Sequence, residues 1–336
     1  MAKKDIAWSD LGFAYMKTKS FVGMNWKNGT WGEPQLLTDD QITMSVAATS
    51  LHYGQAAFEG LKVFTLKNGD VAAFRPEENA KRMIASAQRL LMEEVSVEDF
   101  LKSLDILVKD NMDFVPPYGT GASAYIRPLL IGTGARVGVQ PADEYDFYML
   151  LMPVGPYYKG GIKPIDALIQ TEFDRAAPRG LGNVKSAGNY AAGLQNDSIG
   201  KKKGFPISLY LDSKERKYID EFGTSNFIAI SKDGKFITPD SQSVLPSITN
   251  KSLQQLAADF GIEVERRKIA VEELADFVEV GSVGTAAVIT PISSITYGEK
   301  VFKFNEPNTL LKLYKQFTGI QNGDLEDKYG WLYKID

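Results

Sequence analysis

The sequence predicts a mixed α/β (α+β) protein in two domains, on three observations. At 336 residues the chain exceeds what one hydrophobic core commonly supports. Strand-like and helix-like apolar patterns interleave along its whole length instead of segregating. The stretch GPYYKGGIKP crowds Gly, Pro and Tyr together and reads as a linker. These place a small N-terminal domain at residues 1–154, the linker at 155–165 and a larger C-terminal domain at 166–336.

In the first half, EGLKVFTLKNGDVAAFRP holds two short apolar runs around Asn68-Gly69, a strong hairpin signal. A helix follows, with Pro76 in its first turn and Ala80, Met83, Ile84, Ala87, Leu90 and Leu91 at helical spacing. A second helix runs through SVEDFLKSLDILVKDNMDFVP, opened by Ser96 and Asp99 and closed by Pro116-Pro117. Two strands follow, ASAYIRPLLIG and EYDFYMLLMPVG, and the second is apolar enough to be buried on both faces. The second half alternates a strand DALIQT, a helix through NYAAGLQNDSIGK, strands SLYLD and NFIAIS, and a hairpin at Asp233-Gly234. Pro246 and Ser247 then open a helix with Leu253, Leu256, Ala257 and Phe260 on one face and Gly261 at its end. Strands around VEVGSVGTAAVITPI and a helix TLLKLYKQFTGIQNG complete the pattern.

Composition removes several classes of function. A formal net charge of −4 offers no broad basic surface, and Lys201-Lys202-Lys203 between two glycines reads as a solvated loop, so nucleic acid is not an expected partner. The chain has no cysteine, which excludes disulfides, thiolate metal sites and thiol catalysis. A single histidine, His52, excludes a multi-histidine metal cage and reads as a packed, hydrogen-bonded residue. The N-terminal MAKKDIAW never passes into an apolar segment, and no run approaches the roughly 18 residues of a spanning helix. A cytoplasmic enzyme or binding protein is the expectation.

In LGNVKSAGNYAA, Lys185 stands among small and amide residues with no other charge for several positions on either side. Buried there, its pKa would fall through desolvation and the amine could form a Schiff base with a carbonyl; exposed, it would be a loop lysine reaching to solvent. Other parts are suggestive beside it. Tyr190 lies five residues on, and Glu221 precedes the turn-forming Gly223, Thr224, Ser225 and Asn226. The helix start at LPSIT presents the backbone N–H groups of Ile248 and Thr249, suited to a phosphate, and Gly284-Thr285 makes another turn. Each has a plain structural reading as a cap, a turn or a buried tyrosine. Together they are the parts pyridoxal phosphate needs: an aldehyde partner, an anion cradle and a carboxylate for the ring nitrogen.

The stretch GNVKSAGNYAA resembles the lysine motif of fold type IV pyridoxal phosphate enzymes. SLHYGQAAFEGLKVF, AFRPEENAKRM, AYIRPLLIGTG, MPVGPYYKGG, DEFGTSNFIAI, VLPSIT and GTAA resemble, in order and spacing, blocks of the branched-chain amino acid aminotransferases. The resemblance runs from about residue 50 to 290. It implies two α/β domains with the active site between them, the C-terminal one a pseudo-barrel. It also implies exchange of amino groups between L-leucine, L-isoleucine or L-valine and 2-oxoglutarate in a ping-pong cycle.

Carried over position by position, Lys185 is the Schiff-base and proton-shuttling lysine, and Arg75 clamps the cofactor phosphate. Tyr190 bonds the cofactor's phenolic oxygen, Glu221 pairs with its pyridine nitrogen, and Thr224, Ile248, Thr249 and Thr285 complete the phosphate and ring contacts. Tyr53, Phe58, Tyr125 and Tyr157 wall an apolar pocket, Arg127 meets the side-chain carboxylate of glutamate, and Tyr125 with the backbone of Thr285 and Ala286 holds the α-carboxylate. The family is homodimeric, and Val137 and Val139 match residues that reach into the partner's site.

The sequence departs from the family in places. Ala287 and Thr290 stand where some members carry a Cys-x-x-Cys switch, Ser247 replaces a usual glycine, and Asn250 stands where arginine is common. The block around Tyr15 aligns only loosely. Alternatives are a fold sibling, either a D-amino acid aminotransferase or an aminodeoxychorismate lyase, or a non-catalytic pyridoxal phosphate binder.

Overall fold

The computed structural model describes residues 5–158 and 160–335. Residues 1–4, at the head of the charged N-terminus, residue 159, inside the segment read as linker, and residue 336 lie outside the described residues. By its internal contacts the chain forms two compact units. One holds the residues up to 157 with 184–187 and those from 319 onward; the other holds 158–183 and 188–318.

The first unit is built on a nine-stranded antiparallel sheet. Its path runs Leu332–Lys334, Val71–Phe74, Leu61–Thr65, Ser123–Gly132, Tyr145–Val154, Phe21–Lys27, Thr30–Trp31, with Gln35–Leu37 and Ala56–Phe58 paired off it. The two long strands pair from Ser123 with Val154 through to Gly132 with Tyr145. Helices Pro76–Arg89 and Val97–Asp110 turn Met83, Phe100, Leu104 and Leu107 into a core with Ile126 and Phe147. Ser96 caps the second helix as its spacing from Asp99 predicts, accepting from the Asp99 N–H and donating to its carboxylate.

The hairpin at Asn68-Gly69 forms, with Gly69 at φ +91°, a conformation that suits glycine. Leu91 corrects the helix reading. The helix ends at Arg89, so Leu91 sits beyond it at φ +51° and 69% exposed. The strand Tyr145–Val154 alternates buried and half-buried residues over most of its length, since helices cover one face of an antiparallel sheet. The C-terminal strand Leu332–Lys334, which the sequence reading left in the C-terminal domain, pairs instead with Val71–Phe74 of the first unit.

The second unit contains a closed barrel. Strands Ile219–Phe222, Ile207–Leu211, Ile165–Ile169, Val288–Tyr297, Phe277–Gly284 and Ser225–Ser231 pair in that order, and the last returns to the first. This is the expected pseudo-barrel. Its core includes Leu209, Phe222, Phe227, Phe277 and Ile292. Helix Ile248–Asp259 buries Leu253, Leu256 and Ala257, with Ser247 as N-cap and Gly261 at φ +73° past its end. Lys201 and Lys202, read as loop, form the last turn of helix Ala187–Lys202, where cations suit the carbonyl end of the helix.

The returning strand closes over Arg75. Trp331, 8% exposed, meets Phe74 edge-on at 5.7 Å and stacks on Tyr329 at 4.1 Å. The Arg75 guanidinium lies 5.1 Å from its ring centre, and the Arg75 N–H donates to its carbonyl at 2.7 Å. Trp331→Ala is therefore expected to cost about 3 kcal/mol, read as a fall in the urea denaturation midpoint.

Candidate active site

In the first unit, Lys185 lies against strand Ala56–Phe58. Its carbonyl accepts from the Phe58 N–H at 3.1 Å, Ser186 bridges Ala57, and its own N–H donates to Ser86 Oγ at 3.1 Å. These bonds fix the backbone and point the side chain over the Phe58 ring, with Nζ 5.0 Å from the ring centre. Arg127 covers the same ring at 4.9 Å and donates to the Tyr125 hydroxyl at 3.1 Å. Its Nε is buried with no hydrogen-bond partner among the described residues, a donor available to an anion. Gly60 is required here, because a Cβ at that position would sit 2.1 Å from the Tyr125 hydroxyl.

Beneath Lys185 lies a charged pair that the sequence reading missed. Glu59 is fully buried and forks onto Arg82, at 2.7 Å from Nε and 2.8 Å from Nη2. Asn79 and the Gly60 N–H complete its shell at 2.7 and 3.1 Å. The pKa of Lys185 is pushed down to about 8, first by burial and then by the Arg82 charge, while Glu59 pulls it upward. The Glu59 carboxyl stays below its ordinary value: burial opposes ionisation, but Arg82, Lys185 and Asn79 together outweigh it. The signal for Glu59 was present in sequence as an acid inside the apolar run AAFEGLKVF.

The other residues expected in this unit are spread around these. Tyr53 ends the short helix Thr49–Tyr53, and its hydroxyl donates to the Val137 carbonyl. Val137 and Val139 are 74% and 82% exposed, and Tyr157 is also exposed. Arg75 holds the N-cap position of Pro76–Arg89 at φ +51°, with its side chain mostly buried. His52 is hydrogen-bonded as expected, to the Val46 carbonyl at 2.7 Å, but it is exposed at the end of a one-turn helix, with its ring 5.9 Å from that of Tyr53.

In the second unit Glu221 is 3% exposed on a barrel strand. Its Oε1 pairs ionically with the Arg175 guanidinium, 2.8 Å from Nη2, and accepts from the Leu245 N–H at 3.1 Å, and its Oε2 accepts from Asn226 Nδ2 at 2.6 Å. Burial nevertheless raises its pKa to about 7, with Asp220 adding to the rise and Arg175, Leu245 and Asn226 opposing it. Asn250, at a position where the family pattern differs, donates to Asn226 Oδ1 at 3.1 Å and Thr238 Oγ1 at 2.8 Å. One polar chain thus links the carboxylate to the N-terminus of Ile248–Asp259. There Ile248 and Thr249 are buried, and helix geometry leaves their N–H groups without intrahelical acceptors. Thr285 and Ala286 form the half-buried turn between Phe277–Gly284 and Val288–Tyr297. Thr224 is exposed in the turn after Ile219–Phe222, and Tyr190 is half-buried in the first turn of Ala187–Lys202. Thr290, where some family members carry cysteine, is buried and accepts from the Tyr158 hydroxyl at 2.5 Å. Among the described residues no cluster of His, Cys, Asp or Glu is fit to hold a metal, and no helix is long and apolar enough to cross a membrane.

A half-buried amine with a lowered pKa on the first unit, and a barrel carrying a buried carboxylate beside a helix N-terminus on the second, are the equipment of a Schiff-base, phosphate-cofactor enzyme. The chain belongs to the amino-transferase class IV family, whose model matches residues 56–295. A branched-chain-amino-acid aminotransferase of Haemophilus influenzae is 44% identical over 99% of this chain and 100% of its own length. The crystal structure of an Escherichia coli branched-chain amino acid aminotransferase matches with a TM-score of 0.79 at 27% identity, covering 95% of this chain and 100% of the other. A T.th. branched-chain amino acid aminotransferase complexed with N-(5′-phosphopyridoxyl)-L-glutamate matches with a TM-score of 0.77 at 25% identity, over 94% of this chain and 99% of the other.

Reductive methylation of the apoprotein, read by peptide mass analysis, is expected to modify Lys185 with a midpoint near pH 8, well below that of surface lysines. Glu59→Gln removes a charge that raises the lysine pKa, so the midpoint should move lower, with a loss of about 3 kcal/mol of stability from the stranded Arg82. A midpoint that stays or rises would show that the amine does not feel this carboxylate.

Proposed function

We propose that the residues described above serve the transfer of an amino group from L-leucine, L-isoleucine or L-valine to 2-oxoglutarate, giving branched-chain 2-oxo acids and L-glutamate. The chain is a branched-chain amino acid aminotransferase that uses pyridoxal 5′-phosphate. The observation that carries this is identity of 44% extending over essentially the full length of both chains.

The donor set fits the cofactor. An amine with its pKa near 8 has a substantial neutral fraction close to neutrality, as condensation with an aldehyde needs. The Ile248 and Thr249 N–H groups at the helix start, which have no intrahelical acceptor, suit a phosphate, as does the Thr285 turn; the Arg75 guanidinium has the forked donors that the same role needs. Among the described residues Glu221 accepts hydrogen bonds from the Leu245 N–H and Asn226 and pairs ionically with Arg175, which leaves lone-pair room for a ring N–H. When bound, pyridoxal phosphate supplies an electrophilic aldehyde and a protonated ring that accepts an electron pair.

Around it, Lys185 Nζ accepts the proton leaving the substrate α-carbon and releases it to the carbon that gains it, and the second half-reaction runs this in reverse. Tyr190 orients the ring through its phenolic oxygen, and Thr224 adds a further contact. Tyr53, Phe58 and Tyr157 offer apolar walls, which separate side chains differing by a methylene only weakly, so one enzyme accepts all three amino acids. Arg127, with its buried spare donor, receives the side-chain carboxylate of glutamate, and Tyr125 with the backbone of Thr285 and Ala286 receives the α-carboxylate. The exposure of Val137 and Val139 supports a homodimer in which they meet the partner copy. A cytoplasmic setting belongs to the same reading.

The purified holoenzyme should be yellow, lose its long-wavelength absorption on adding L-leucine without any oxo acid, and regain it with 2-oxoglutarate. D-alanine in place of L-leucine should leave the spectrum unchanged. Lys185→Ala should bind cofactor yet catalyse no repeated turnover, and multiple turnovers by that variant would refute the lysine's role.

A further inference from the structure

Arg175 was not singled out by sequence, yet it occupies the centre of the Glu221 site. Its side chain is 9% exposed, and Nη2 lies 2.8 Å from Glu221 Oε1. The same nitrogen donates to the carbonyls of Gly182, at 3.1 Å, and Ser243. Gly182 and Ser243 belong to two loops in very close approach, since a Cβ on Gly182 would sit 2.1 Å from the Ser243 carbonyl oxygen. One loop runs toward Lys185 and the other toward the N-terminus of Ile248–Asp259. A single guanidinium therefore ties the carboxylate to both loops.

We infer that Arg175 is a positioning residue that favours the ionised form of Glu221 and aims it at the ring nitrogen of the cofactor. The inference rests on the proposed pairing of Glu221 with that nitrogen. Of the groups facing Glu221, Arg175 is the cation, Asp220 is an acid on the same strand, and the Leu245 N–H and Asn226 are neutral donors. Asp220 itself is bonded to Ser241 and feels Asp212. Removing the guanidinium leaves a buried carboxylate beside a second acid, and such a group takes up a proton sooner than remain charged. A protonated Glu221 no longer stabilises a proton on the ring nitrogen, and the ring then withdraws electrons less well. The ion pair with Arg175 and the two hydrogen bonds that Glu221 accepts hold its carboxyl in place, so loss of Arg175 also frees the carboxyl to turn.

Two measurements test this. In the apoprotein, carboxyl-stretch infrared difference spectra between each protein and its Glu221→Gln counterpart follow the protonation of Glu221 with pH. Arg175→Met should raise that midpoint by a pH unit or more from about 7, and Arg175→Lys should restore most of the difference. An unmoved midpoint overturns the inference. In the holoenzyme, Arg175→Met should lower kcat about tenfold or more, move the acid limb of its pH profile upward and alter the cofactor spectrum in a wild-type background, but change none of these further in a Glu221→Gln background. Equal losses in both backgrounds would mean that Arg175 acts only as structural support, and would overturn the inference. If the infrared midpoint moves while neither Arg175→Met nor Glu221→Gln alters the cofactor spectrum, the coupling of the two residues stands and the pairing of Glu221 with the ring nitrogen fails.

Discussion

A charged group inside a protein loses its hydration, and the chemistry of this enzyme depends on how that loss is shared among neighbours. Lys185 and Glu221 are both driven by burial toward their neutral forms, the amine down to about 8 and the carboxyl up to about 7. Neither is left to burial alone. Each sits beside an arginine–carboxylate contact, and the geometry of that contact acts together with a further charge, Lys185 beside Glu59 and Asp220 beside Glu221. Glu59 is gripped by Arg82 through two nitrogens, with Asn79 and a backbone N–H on its remaining lone pairs, and stays ionised. Glu221 meets Arg175 through one nitrogen that also serves two carbonyls, and its carboxyl still rises. The forked pair makes a fixed charge; the single contact makes an adjustable one.

The fold supplies these environments by different means. In the first unit, Glu59 follows a strand that pairs with Ser123–Gly132, while Arg82 and Asn79 come from the helix laid on that sheet, so one layer of packing joins them. Its glycine neighbour leaves room for the Tyr125 hydroxyl. In the second unit the barrel closes through Ile219–Phe222, and this puts Glu221 on the strand that completes the circuit. Asn226, on the next strand, bridges it to Asn250 and so to the helix N-terminus. Ser247 and Asn250 work together here: the serine caps the helix, accepting from the asparagine N–H, while the asparagine side chain joins the carboxylate network.

The long elements were legible in the sequence because their local signals agree with their burial. Pro76 and Ser96 begin helices, Asn68-Gly69 and Asp233-Gly234 turn hairpins, and the apolar faces point inward. Leu91 was misread because periodicity carries no information on where a helix stops. Short strands such as Ala56–Phe58 and Leu332–Lys334 have too few residues to show a period, and their pairing is decided by distant partners. At the site, Lys185 stood out by isolation and Glu221 by its turn, but Arg82 and Arg175 did not. An arginine in a helix or loop looks like surface until the carboxylate it meets, 23 or 46 positions away by the numbering, is folded against it.

That blindness follows from the chemistry itself. Lys185 stands apart from charge in sequence, among small and amide residues. The groups that set its proton affinity act through space, at a distance where burial strengthens the field. Glu59 therefore has to come from another element, close enough to be felt and already committed to Arg82, so that it raises the amine's pKa without taking its proton. A lone carboxylate in that position would hold the lysine protonated, and a lone arginine would depress it further. With both present the amine is held at about 8, within reach of a proton at neutral pH in either direction, as the proposed taking and returning of the α-proton requires.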